Sequence, residues 1–265
     1  MKIEHTQDEN NDTGQGLRKF ISSRGRVLGA ALCLALFLAG APLAAWYYFV
    51  TSGGERAQWT WNSTCNPNAR PIQLFVDSDT PAAYQEEING VSATGTNIID
   101  NWNNPQGKAI NLFNTAVDNN ATMSVSYINS FLNNPVKNRV IIVYDSDGSI
   151  FNALGADPTR VLGLGVPMPY FLDLKDRNIC SGIVFMNGWL ISRGTSAVNE
   201  FKKTLLHELG HVLGFAHNIA GGNGNTLGIK TNPALWPVMF PFADLNSPAN
   251  LTSDDQAGAY SVYGP

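Results

Sequence analysis

Three histidines and a glutamate crowd into eleven residues of this chain, as His207-Glu208-Leu209-Gly210-His211 and then His217. On a helix turning about 100° per residue, His207 and His211 stand about 40° apart, one turn from each other on one face. Two imidazoles so placed can both reach one ion at roughly 2.0–2.1 Å. Glu208 flanks the pair, where its carboxylate can hydrogen-bond a water held at that ion. Gly214 ends the helix by permitting a left-handed turn, which lets His217 return as a third ligand. Three protein ligands leave a position open, the pattern of catalytic zinc sites and not of closed structural ones. A His-Glu-x-x-His string also arises by chance. Here, however, the only other histidine of the four is His5, so every histidine beyond the N-terminal segment belongs to the cluster.

A frame must hold these residues. Ser196–Ala216 has Val198, Phe201, Leu205, Leu209 and Val212 on one stripe and is expected to be helical, with Leu205 about 200° from His207. Ile72–Val76, Arg139–Tyr144, Val161–Val166 and Ile179–Met186 have strand character. A helix is expected from Pro81 to about Trp102, entered through Thr80-Pro81. Another begins at Thr252, with Asp255 in the third helical position to complete a cap. Strands early and helices late give an α+β class. Asn-rich Gln106–Asn138 yields no assigned element. Asp145-Ser146-Asp147-Gly148 invites a calcium loop, but Ala156 stands where the twelfth-position carboxylate would be, so a turn is expected and calcium has no support.

Composition narrows the function class. Charged residues are 14% of the chain, against roughly 25% in ordinary soluble domains. Thr51–Pro265 holds 12 Lys/Arg against 17 Asp/Glu, with 26 Asn supplying polarity. That acidic balance excludes a nucleic-acid binder, which needs a basic face. The 24 residues Val27–Val50 carry no charge. As a helix they reach about 36 Å, enough to cross a roughly 30 Å hydrocarbon core. Arg18, Lys19, Arg24 and Arg26 precede the run, and Trp46-Tyr47-Tyr48-Phe49 closes it. The expectation is a cytoplasmic tail (1–26), a signal-anchor (27–50), a linker (51–69) and an exported domain (70–265). A cleaved signal peptide is the alternative, but Pro42 follows its best site, Ala39-Gly40-Ala41, and the apolar run is long.

HELGHVLGFAH resembles the metzincin signature HExxHxxGxxH. Trp236-Pro237-Val238-Met239-Phe240-Pro241 resembles the Met-turn of that superfamily, and Leu251–Gly258 with Val262-Tyr263-Gly264 resembles the closing helix of matrixins. The resemblance implies a metzincin-type catalytic domain with a twisted mixed sheet, and a zinc endopeptidase that acts on extended protein or peptide substrates. It implies His207, His211 and His217 as zinc ligands, Glu208 as general base then acid, and Met239 beneath the metal. Val161–Pro167 looks like the edge strand that holds substrate, and Val238–Phe242, with Phe240 and Phe242, would wall a pocket beside the zinc. Departures are the lack of further histidines for a second, structural zinc, Asn218 after the third histidine, and a long Gly-rich stretch before Met239. A catalytically silent, zinc-bearing binding module at the cell surface is the alternative function.

Latency rests on cysteine. Cys33 lies in the apolar run, leaving Cys65 and Cys180 in an oxidising compartment, where a disulfide between them is the expectation. Cys65 in Ser63-Thr64-Cys65-Asn66-Pro67 is also placed where a matrixin propeptide cysteine would block the zinc. The disulfide implies an enzyme active without proteolytic maturation.

Overall fold

In a computed structural model, the residues described are 57–59, 71–93, 95–169, 178–217, 238–239 and 249–264. The apolar run 27–50, Cys65, Phe240 and Phe242 lie outside them. Among the described residues no helix is long and apolar enough to cross a membrane.

The strands are β1 (Gln58–Trp59), β2 (Gln73–Asp77), β3 (Asp118–Ala121), β4 (Arg139–Tyr144), β5 (Gly163–Pro169) and β6 (Asn178–Met186). They form one six-stranded sheet in the order β1-β6-β4-β2-β3, with β5 also on β6. Every pairing is parallel except β5 with β6. The class is α+β with a mostly parallel mixed sheet. Parallel neighbours need crossovers, and helices accordingly stand between the strands: α1 (Ala82–Asn89), α2 (Ile98–Asn103), α3 (Val125–Asn133) and α4 (Ser149–Ala153). Among the described residues α5 (Gly188–Ile191), α6 (Ala197–Val212) and α7 (Ser253–Tyr263) follow the last strand. The expected order of strands first and helices late is thus corrected.

Both faces of the sheet are covered, which is why β4 is a continuous apolar run instead of an alternating one. Val140 and Ile142 point into a cluster with Trp102, Phe201, Leu205 and Leu209. Their neighbours Ile141 and Val143 point the other way, to Phe131 and Phe151.

The single helix expected from Pro81 to about Trp102 is two helices. Gly90 caps α1 in an extended conformation (φ −97°, ψ −155°), Gly95 takes φ +114°, and Asn97 starts α2 by accepting the Asp100 N–H. The unassigned Asn-rich stretch contains β3 and α3. β3 has no β-forming residue, only Asp-Asn-Asn-Ala, so its pairing is imposed from outside. Buried Asp77 supplies part of that, accepting the N–H groups of Asp79, Met123 and Tyr144 at 3.3 Å each.

Two expected elements need a further correction. Gln58-Trp59 falls in the stretch read as linker, yet it is a sheet strand with Trp59 buried. α6 stops at Val212, short of Ala216, because Gly214 takes φ +94°. α7 opens with the expected capping box between Thr252 and Asp255.

Candidate metal centre

α6 sets two of the three imidazoles and the turn after it sets the third. The Nε2 atoms of His207 and His211 each lie 3.2 Å from Nε2 of His217. Ligand nitrogens roughly 2.0–2.1 Å from a tetrahedral ion stand about 3.3 Å apart, and both spacings to His217 match that. The three ring atoms lie within 4.8 Å of one another, and among the described residues this is the one group of three or more His, Cys, Asp or Glu side chains that could hold a metal.

Backbone carbonyls fix which nitrogen faces inward. His207 Nδ1 lies 2.6 Å from the Val238 carbonyl and His211 Nδ1 lies 2.8 Å from the Phe215 carbonyl. A carbonyl oxygen only accepts, so each Nδ1 carries the proton and each Nε2 presents a lone pair. Burial holds all three rings neutral: it pushes His207 down to about 4, lowers His211 well below its usual range, and lowers His217. One proton on His217 can bridge to only one neighbour at a time. A cation satisfies all three lone pairs at once. The donor set therefore fits a metal ion, and nothing in the geometry identifies which one.

Glu208 sits beside the triad and is buried. Burial raises its carboxyl to about 8, against the opposing effect of a hydrogen bond from the Gly165 N–H. β5 crosses α6 at this residue. A Cβ on Gly163 would stand 2.6 Å from Glu208 Cγ, and one on Gly165 would stand 2.9 Å from the Glu208 carbonyl carbon. Only glycine permits so close an approach of strand to helix at these two positions.

Met239 packs its sulfur against Gly210, where an added Cβ would collide with it. The segment around it is tied to α7 by buried Asp255, which accepts from the N–H groups of Val238 (2.8 Å) and Met239 (3.4 Å) as well as from Thr252. The Val238 carbonyl orients His207, so the cap of α7 and a metal ligand share one backbone segment.

The sequence placed His207, Glu208, His211, His217 and Met239, and the fold brings all five together. It passed over Asp255 as more than a cap, and Gly163, Gly165 and Gly210 as contact points. Glycines at alternate strand positions were the available signal for the first two. Cys180 is disulfide-bonded, while Cys65 lies outside the described residues. Asp145 turns its carboxylate inward to the N–H groups of Gly148 (3.0 Å) and Phe151 (3.0 Å), capping α4 behind a left-handed Gly148. Comparison with protein-family models, curated proteins and solved structures finds no match for the chain.

Proposed function

We propose that this chain is a matrixin-like zinc endopeptidase of extracytoplasmic proteins, carried on the membrane by residues 27–50, or secreted if that run is cleaved. The observation that carries the reading is the convergence of three Nε2 lone pairs beside a buried carboxylate, under an antiparallel edge strand. His207, His211 and His217 would hold the ion. Zinc, when bound, supplies a Lewis acid that polarises a carbonyl and lowers the pKa of water.

The remaining steps belong to the chain. Glu208 takes a proton from the attacking water and passes it to the leaving amine. The Gly165 N–H holds that carboxylate in place. β5 pairs on one side with β6, and an extended substrate would add to its other edge through main-chain hydrogen bonds. Val238 and Met239 close the site from beneath. Cys65 is the partner we assign to Cys180, which leaves no thiol to block the ion and makes the enzyme active as synthesised.

Glu208→Ala should retain zinc, measured by metal analysis, and lose peptide hydrolysis by about 10²–10⁴-fold. A casein zymogram with and without chelator checks the metal dependence. Cleavage that survives chelation, or survives Glu208→Ala, sinks the mechanism. Zinc retained by a wild-type chain that cleaves nothing makes it a binding module instead.

A further inference from the structure

The turn from α6 to His217 does two jobs. Its Phe215 carbonyl orients His211, and its path delivers His217. Within it, Gly214 donates to the His211 carbonyl and Phe215 to the Gly210 carbonyl, both at 2.9 Å. Those bonds hold the turn to the helix. They do not fix how the turn lies against the rest of the fold.

That second constraint comes from both ends of the described chain. The Tyr263 hydroxyl, at the end of α7, donates to the Leu213 carbonyl. The same oxygen accepts the Trp59 N–H at 3.2 Å. One buried hydroxyl thereby joins β1, α7 and the turn. β1 also touches the turn directly: the Ala57 carbonyl packs on Gly214 so closely that a Cβ there would collide with it. Trp59, Leu213, Phe215 and Tyr263 are all buried, at 2%, 1%, 3% and 1% exposure. Water cannot stand in for a lost partner.

We infer that β1 and Tyr263 form a strap that positions the ligands His211 and His217, so that metal affinity depends on the first described strand of the sheet and on the end of α7. This rests on the zinc reading of the triad and goes beyond it. Tyr263 touches neither metal nor substrate and is a positioning residue. A residue that is only core stabilises the metal-free and metal-loaded forms alike. A positioning residue stabilises the loaded form more.

The experiment uses the full chain in detergent, with zinc and cobalt as the probes. Tyr263→Phe removes the hydroxyl and keeps the ring. Zinc affinity by chelator competition should fall about tenfold, the low end of what outer-shell changes cost. The rise in Tm on adding zinc should shrink accordingly, and the absorption spectrum of the cobalt form should shift. Trp59→Ala loosens the strap from its other end and should move the same readouts in the same direction; it carries the test if Tyr263→Phe does not fold. A lowered Tm with wild-type zinc affinity in both variants overturns the strap while leaving the metal site standing. A wild-type chain that takes up no zinc overturns both, and does so before any variant is made.

Discussion

The two ends of α6 each bury polar groups, and they do it in opposite ways. Near its start, Lys202 is fully buried with Glu87 of α1 at 3.7 Å. The Lys202 ammonium also donates to Ser92 and to Asn250, while Glu87 accepts the Ala93 N–H at 2.8 Å. Charge and hydrogen bonds close on themselves there. Near the end of the helix, three neutral imidazoles turn lone pairs on one another beside a carboxyl that burial has raised. The first assembly lacks nothing. The second turns three ring nitrogens toward one point where a cation would satisfy them together, and that convergence, more than burial or polarity, separates a site from a structural network.

The comparison can be broken from either end. The largest effect should be the loss of hydrolysis in Glu208→Ala, about 10²–10⁴-fold, with little change in folding stability. Lys202→Met should do the reverse. It strands Glu87 without a countercharge and should cost about 3–5 kcal/mol in denaturant unfolding. Adding Glu87→Leu to it should recover most of that, because an apolar pair of similar volume replaces a closed ion pair at little cost. A single variant as stable as wild type would mean that the network is not closed in the sense described.

A smaller effect tests how tightly β5 is laid on the site. Gly165→Ala forces a methyl against the Glu208 backbone and should cost about 1–3 kcal/mol of stability. Gly163→Ala meets the movable Glu208 side chain first, so its loss should fall on kcat and less on unfolding. If both variants unfold alike and turn over alike, the contact of β5 with Glu208 is not what places the carboxylate.

The smallest effect concerns Asp145, an acid between the two cases. Burial raises it to about 6, with Asp147 beside it adding to the rise and the Phe151 and Gly148 N–H groups opposing it. Because the folded value lies above the unfolded one, the stability it contributes is complete below about pH 4 and is lost as pH rises through about 6. Unfolding free energy should therefore fall across that window by no more than about 1.4 kcal/mol per pH unit, the slope of one proton. Asp145→Asn should flatten it, and an unchanged slope would mean that another group titrates there.

The site was legible in the sequence because helical spacing alone brings His207 and His211 together and Gly214 alone can reverse the chain toward His217. β4 and β6 were legible for a similar reason, since each is a long apolar run with few other uses. α1 and α2 were not separated, because the break depends on the backbone angles of Gly90 and Gly95, which apolar spacing does not record. β3 was invisible: its residues are polar, and its pairing depends on Asp77, some forty residues earlier in the chain. The Lys202–Glu87 pair escaped as well. A lysine on a helix is ordinarily a solvated residue, and only the packing of α1 and the segment at Asn250 over it makes it a buried one.

β1 also sets a leash. Ala57 is pinned beside Gly214, and the chain reaches it from Val50 in only seven residue-to-residue steps. Fully extended, that many residues span no more than about 25 Å. With the proposed anchor in the bilayer, the C-terminal end of α6 would stay within about that distance of the membrane surface. Such a protease would work in a thin shell above the lipid headgroups, cutting chains that enter that layer and passing over those that stay in the fluid beyond it.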